Sequence, residues 1–114
     1  MNDDDLNRKM AEICGFRLVM TQDGKWTGRA VIDHVAKPWR PATNIQQCYA
    51  YIIPAASAKG IHVQVMWHAD GSTHVAATTS RFGSRFTNGS REDTPRLICL
   101  AVLKVIEAMK GSTK

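Results

Sequence analysis

The sequence predicts an α+β fold, an α/β/α layered sandwich in which helices pack on a four-stranded, mainly antiparallel sheet. Two observations support this prediction. Apolar residues recur at helical spacing in three segments, near residues 4–14, 44–58 and 94–109. Between the helices lie two pairs of strand-like segments, each joined by an Asp-Gly turn, at Asp23-Gly24 and at Asp70-Gly71. The predicted order is therefore αββαββα.

The first predicted helix runs from about Asp4 to Cys14. Asp3 or Asp4 is the expected N-cap, since acidic residues favour the positive end of a helix, and Gly15 is expected to end it. Residues 16–21 and 26–32 are the predicted strands of the first hairpin. A connector punctuated by prolines, residues 37–41, follows it.

A second helix is predicted to begin at Thr43 or Asn44. Pro54 interrupts its apolar pattern, so we expect either a kink or an early end near Tyr51. Gly60 is expected to terminate the segment.

The second hairpin has a clear alternation of apolar and polar residues over 61–68. A three-residue loop with Gly71 in the left-handed conformation pairs Val65 with Val75 and Val63 with Ala77. His62, His68 and His74 then project from the opposite face of the sheet.

The last quarter of the chain is predicted to be an arginine- and glycine-rich loop, residues 81–93, followed by a helix. Thr94 is the predicted N-cap and Pro95 the first helical residue, because proline has no N–H to lose there. The predicted core combines this helix with the second hairpin: Ile61, Val63, Val65, Val75, Leu97, Ile98, Ala101 and Val105.

Composition and charge narrow the class of protein. The chain has 114 residues, 44% hydrophobic and 22% charged, which predicts one globular domain over residues 1–110 and a short tail over 111–114. The net charge is +5, and residues 15–114 carry +7, which favours an acidic partner. A purely solubilising surface is the alternative. Apolar runs are far shorter than the ~20 residues that span a bilayer, so we expect a cytoplasmic protein.

The sequence lacks the usual motifs of catalysis. Cys14, Cys48 and Cys99 show no paired metal-binding spacing and are expected to be buried hydrophobes. Of the histidines, only His68 and His74 could approach each other, so we expect no metal and no cofactor. There is no nucleophile elbow, phosphate-binding loop or paired carboxylate motif. We therefore expect that the protein is not an enzyme.

Three stretches resemble the phage ABA-sandwich domain, a family of small phage and prophage proteins. They are LNRKMAEICGF at residues 6–16, PATNI at residues 41–45, and DTP at residues 93–95 with the apolar residues that follow. The resemblance spans nearly the whole chain and implies a phage origin and an α/β/α layered fold. It implies no catalytic residues.

Residues 81–91 of this loop are the predicted binding site. Arg81, Arg85 and Arg91 offer planar guanidinium groups suited to phosphate or carboxylate, and Phe82 and Phe86 offer surfaces on which a base could stack. A solvated connection is the alternative for this loop.

Trp39 is a further candidate. It lies between Pro38 and Pro41, where full burial is difficult, so we expect it either in the core or as an anchor on a partner protein.

The leading hypothesis is a small phage-encoded, non-enzymatic binding protein that acts stoichiometrically on a host target in the host cytoplasm. Inhibition of a bacterial anti-phage defence is the expected use, by blocking a CRISPR effector or by sequestering a nucleotide signal. The expected partner is thus a host protein or a phosphate-bearing ligand. The alternatives are a nucleic-acid-binding accessory protein of phage DNA metabolism and a structural or assembly protein. A homo-oligomer is also expected, through the His62, Gln64, Met66 and His74 face or through an edge strand.

Overall fold

A computed structural model describes residues 1–111, and it has an α+β fold with two separate three-stranded antiparallel sheets. The prediction of an α+β fold is confirmed, but the single four-stranded sheet and the order αββαββα are wrong. Each sheet contains one strand that the sequence pattern did not predict. The chain begins with α1 (Asp3–Cys14) and the first sheet, β1 (Arg17–Met20), β2 (Trp26–Ile32) and β3 (Val35–Pro38).

The second half of the chain holds the other sheet and the longest helix. A central helix consists of α2 (Ile45–Gln47), a π-helical turn (Cys48–Ile52) and α3 (Ile53–Ala58). The second sheet follows, with β4 (His62–Trp67), β5 (Ser72–Thr79) and β6 (Gly83–Ser90). A 3₁₀ turn (Arg91–Asp93) leads into α4 (Thr94–Gly111). Gly111, predicted to begin the tail, is thus helical, and tail residues 112–114 lie outside the described residues.

The two ends of α1 are determined by residues next to them in the sequence. Asn2, and neither Asp3 nor Asp4, is the N-cap, and its side-chain oxygen accepts a hydrogen bond from the Asp5 N–H at 2.8 Å. Gly15 ends the helix as predicted, with a φ of 76° that glycine adopts without strain.

Strand β3 was missed because its turn lacks the usual residues. Asp33 and His34 have φ values of 51° and 68°, and they form a two-residue turn that pairs Ile32 with Val35. Such turns need positive φ at both positions, which Asn-Gly or Asp-Gly normally supply. Asp33-His34 meets the same requirement without glycine, so part of the predicted connector is a strand.

The central helix continues through Pro54. Asn44 is its N-cap, as predicted, and accepts a hydrogen bond from the Gln47 N–H. Proline has no N–H, and its ring would clash with the carbonyl of Ala50 in a regular α-helix. The chain accommodates it with the π-helical turn, in which the Ile53 N–H bonds to the Cys48 carbonyl five residues earlier. The helix then ends before Gly60.

The second sheet has the predicted register between β4 and β5. Val65 pairs with Val75, Val63 pairs with Ala77, and Gly71 has a φ of 89° in the turn. The apolar side chains of this face pack under α4, which also contacts α1 and the π-helical turn.

Packing on both sides explains why α4 is buried over most of its surface. Six of the eight predicted core residues are buried, and Val63 and Val65 are half-buried against that core. The predicted α/β/α sandwich is wrong, because within residues 1–111 the helices cover only one face of the second sheet. No helix in this part of the chain is long and apolar enough to cross a membrane.

Candidate functional site

The segment predicted as a loop, residues 81–93, is mostly a strand. Gly83 has a φ of 73° and pairs with Thr79 across a short turn, so β6 begins there and continues to Ser90. The Phe82 N–H donates to the Thr79 hydroxyl at 2.8 Å, which closes the turn. Apolar and polar residues do not alternate along β6, because α4 packs too close to its inner face for large apolar side chains.

Gly89 shows how closely α4 approaches. A Cβ at this position would lie 3.2 Å from a methyl carbon of Leu97, tighter than ordinary van der Waals contact. Beside it, the buried Thr87 hydroxyl donates to the Leu97 carbonyl at 2.8 Å. These two residues look like loop residues in the sequence, although they form the contact between β6 and α4.

The three arginines of the predicted site do not come together. Arg81 lies in the β5–β6 turn with its guanidinium 5.5 Å from the Phe82 ring centroid. Arg85 is half-buried and donates to the carbonyls of Phe82 and Ser84, so its donors are partly used locally. Arg91 lies beyond the other end of β6. Six residues of strand put it about 20 Å from Arg85, so one ligand phosphate cannot reach both. The three arginines therefore do not form one phosphate site, and a binding role for this segment stays a prediction.

Trp39 is in the core, and the alternative of an exposed anchor is wrong. Its side chain is 1% exposed, and its indole N–H donates to the Asn7 carbonyl at 2.7 Å. The ring packs edge-on against Phe16 at 5.2 Å. The Asn7 side chain accepts from the Ala42 N–H, so one buried asparagine joins α1 to the segment after β3. The nearby prolines do not prevent burial, because Pro38 ends β3 and Pro41 begins the turn after it, where the chain folds back onto α1.

The exposed tryptophan is Trp67, which is not among the predicted site residues. It is 53% exposed at the end of β4, and its indole N–H donates to the Thr94 hydroxyl at 3.2 Å. The alternation of apolar and polar residues over 61–68 predicts that Trp67 lies on the inner face of the strand, with Val63 and Val65. It does lie on that face, but α4 begins beside it and leaves half of the ring uncovered.

Thr94 holds three elements together. Its hydroxyl donates to the Arg91 carbonyl at 2.7 Å, so it accepts from Trp67 and from the buried Thr73 hydroxyl, 3.2 Å away. A threonine hydroxyl has one donor and two acceptor positions, and all three are used here. The predicted N-cap role is wrong, because the chain enters α4 through the 3₁₀ turn and Thr94 is already helical.

Arg91 is fixed against the β4–β5 turn. Its backbone N–H donates to the Gly71 carbonyl at 3.0 Å, and its guanidinium donates to the His68 carbonyl at 3.1 Å. A guanidinium has five donors, and this contact accounts for one of them. The charge is therefore held beside Trp67 with further donors directed outward.

A cleft of about 640 Å³ opens between these residues and the start of the central helix. Its walls are mostly apolar, with one arginine and one carboxylate, and the lining residues are Thr43, Ile45, Trp67, Arg91, Glu92, Thr94 and Pro95. Clefts of this size and character are the usual places for ligands. This cleft holds an aromatic surface, a positive charge and an apolar wall from three different elements. Of the predicted site residues, only Arg91 belongs to it.

The ionisable groups elsewhere fit structural roles. Hydrogen bonds from the Ser72 hydroxyl and N–H lower the pKa of Asp70, which holds the β4–β5 turn. Cys48 and Cys99 are buried with their sulfur atoms 3.9 Å apart, and the hydrogen bond that the Cys99 thiol makes to Cys48, together with burial, raises the pKa of Cys99. The His74 ring bonds to the Asn88 side chain and packs on Phe86. Within residues 1–111, no three histidine, cysteine or acidic side chains are placed to hold a metal ion.

Comparison with protein-family models, with curated proteins and with solved structures found no match to this chain. The geometry of the cleft and the charge of the chain are therefore the observations that bear on function.

Proposed function

We propose that this protein is a non-enzymatic binding protein that holds an acidic segment of a partner protein in the Trp67–Arg91 cleft. An apolar side chain of the partner lies against the Trp67 ring, and a neighbouring carboxylate bonds to Arg91. The observation that carries the proposal is a half-exposed tryptophan whose ring is held by a hydrogen bond to Thr94.

A fixed, exposed aromatic ring favours binding for two reasons. Tryptophan and arginine are the residues that most often dominate the free energy of protein interfaces. A side chain that is already held in place loses little conformational entropy when a partner binds. Trp67 and Arg91 meet both conditions, since each is hydrogen-bonded to the fold before any ligand arrives.

The mostly apolar walls of the cleft favour a carboxylate over a phosphate. A doubly charged phosphate costs more to remove from water than a single carboxylate does, and the cleft offers only one positive charge, Arg91, with Glu92 beside it. The net charge of +5 on the chain also attracts an acidic protein and speeds the encounter.

The resemblance to the phage ABA-sandwich family provides the proposed biological setting. We propose that the partner is a host protein of an anti-phage defence system, for example a CRISPR effector, and that binding inhibits it stoichiometrically. Because the protein would act by occupying a surface, one bound copy per target would be sufficient for inhibition.

The test is capture of the partner by matched variants. The wild type, Trp67→Ala and the control Tyr49→Ala are immobilised and exposed to bacterial host lysate, and captured proteins and nucleotides are quantified by mass spectrometry. Tyr49 is 48% exposed on the central helix and does not line the cleft. We expect an acidic protein that the wild type and Tyr49→Ala capture equally and that Trp67→Ala captures at least about tenfold less, as for an interface hot spot. A partner that all three capture equally, or a nucleotide in place of a protein, would contradict the proposal.

Nucleic-acid binding is a second candidate function, and the first sheet supports it. Arg17 and Arg29 are exposed on the same face, because Arg17 pairs with Val31 and Arg29 with Val19. A protein that uses these arginines on phosphates should bind DNA oligonucleotides with a strong salt dependence. Replacing both by alanine should then reduce the salt slope by about one for each lost phosphate contact. Binding that is independent of salt would exclude this candidate.

A further inference from the structure

The second sheet has an outer face that no other element covers within residues 1–111. The side chains of this face come from alternate positions of β4, β5 and β6, in the order His62, Gln64, Met66, Ser72, His74, Ala76, Thr78, Ser84, Phe86, Asn88 and Ser90. All of them are exposed or half-exposed except Ala76, a small residue in the central strand. Phe86 is 50% exposed near the centre of the face.

This face contrasts with the rest of the protein in its charge. It contains no lysine, arginine, aspartate or glutamate, although these four types make up 22% of the chain. The remaining surface therefore carries the net charge of +5. Two copies of a positively charged protein repel each other unless they meet where neither carries charge.

We propose that this outer face binds the same face of a second copy of the chain, so that two sheets pack face to face in a dimer. Such packing needs side chains that interdigitate across about 10 Å between the sheets. Phe86 and Met66 supply the apolar contacts, and the Phe86 ring is already held against His74, with ring centroids 5.1 Å apart. The dimer goes beyond the proposed function, because the face is separate from the Trp67–Arg91 cleft.

The size of the face sets the expected strength of the dimer. Three strands of eight residues or fewer cover about 10–14 Å by about 25 Å, so the face of each copy has an area of about 250–350 Å². The total of about 500–700 Å² lies in the range of weak, transient contacts. We therefore expect a weak dimer that forms only at high micromolar concentrations.

The absence of basic residues also decides between two kinds of occupant. Single-stranded nucleic acid binds where basic side chains follow the phosphates beside stacking aromatics. The outer face has the aromatic ring but none of the basic side chains. A second copy, which needs no charge on this face, fits the observation better.

The experiment measures mass in solution for the wild type and two variants. Sedimentation velocity between about 5 and 500 µM should show the mass rising from 12.6 kDa towards twice that value. Gln64→Glu keeps the size of an exposed side chain but adds a charge that the dimer would bury. Val35→Glu is the matched control, since Val35 is also exposed, at 53%, but belongs to the first sheet.

We expect Gln64→Glu to raise the dissociation constant at least about tenfold, because burying a carboxylate without a partner is costly. Val35→Glu should leave it unchanged. Phe86→Ala, which removes the exposed ring, should weaken the dimer similarly, and thermal melts of both outer-face variants check that they fold. A wild type that stays at 12.6 kDa over the whole range overturns the proposal. So does a dimer that Gln64→Glu and Phe86→Ala leave intact, or oligonucleotide binding by a monomer that depends on Phe86.

Discussion

The indole N–H of Trp67 donates a hydrogen bond to the hydroxyl of Thr94, 3.2 Å away, and joins the end of β4 to the first residue of α4. The two residues are 27 positions apart in the sequence. The bond orients the one large aromatic side chain in the cleft, so Thr94 contributes both to the fold and to the proposed binding surface.

Thr94→Val should destabilise the fold. Valine keeps the shape of the side chain but removes the hydroxyl, so the Thr73 hydroxyl, 1% exposed, loses its acceptor. We expect a loss of about 1–3 kcal/mol in the free energy of unfolding, measured by urea denaturation. The control is Thr27→Val, because the Thr27 hydroxyl donates to the Val19 carbonyl at an exposed position where water can replace it. Equal losses in the two variants would contradict this role for Thr94.

Gly89→Ala should also destabilise the fold, through steric crowding between β6 and α4. The added Cβ would lie 3.2–3.3 Å from both methyl carbons of Leu97, so this side chain must move by a few tenths of an ångström within the packed contact. We expect a cost of about 1–3 kcal/mol, as for overpacking in a core. Gly111→Ala is the control, since nothing lies within 4 Å of its Cβ position. A thermal melt of Gly89→Ala that matches the wild type would show that the contact is looser than described.

Replacing Arg91 by alanine should lower the stability of the fold more than replacing Arg81 does. Arg91 holds the β4–β5 turn through the His68 carbonyl, so Arg91→Ala should cost about 1 kcal/mol of stability as well as weaken partner capture. Arg81 lies in an exposed turn against Phe82, and Arg81→Ala should change stability by less than about 0.5 kcal/mol. Chemical denaturation of the two variants provides the comparison. If Arg81→Ala lowers partner capture as much as Arg91→Ala does, the partner must extend beyond the cleft.

The stability of the protein should fall at alkaline pH in a way that depends on Cys14. Burial, with a smaller contribution from Cys48, raises the pKa of the Cys14 thiol from 9.0 to about 11, although nearby Lys59 opposes the shift. A raised pKa means that the folded state binds the proton more tightly than the unfolded chain does. The stabilisation is thus fully present below pH 9 and is lost as the pH rises towards about 11.

The measurement is the difference in melting temperature between pH 8 and pH 10.5, under reducing conditions. Cys14→Ala removes the thiol and should show a smaller difference than the wild type. All other ionisable groups are the same in the two proteins, so the comparison isolates Cys14. Identical pH dependence in the two proteins would mean that the thiol titrates alike in the folded and unfolded chains.

The sequence by itself determined the elements that depend on neighbouring residues. The turn at Gly71, the pairing of Val65 with Val75, the end of α1 at Gly15 and the N-cap at Asn44 were all predicted. Each depends on a backbone conformation or a hydrogen bond within a few residues, or on an alternation that the next strand must match. The helical period of 94–109 likewise predicted four core residues of α4, Leu97, Ile98, Ala101 and Val105, but it missed Val102 and Leu103, which are also buried.

Only the tertiary structure decided what contacts what across the chain. The sequence pattern of β6 is that of a loop, because α4 needs a glycine and a threonine beneath it instead of large apolar residues. Trp39 is buried and Trp67 is half-exposed. The prolines beside Trp39 had made its full burial unexpected. Burial depends on which distant element covers a side chain: α1 covers Trp39, whereas α4 starts too late to cover Trp67. The cleft exists for the same reason, since its walls come from the central helix, β4, the 3₁₀ turn and α4, which meet only in the folded chain.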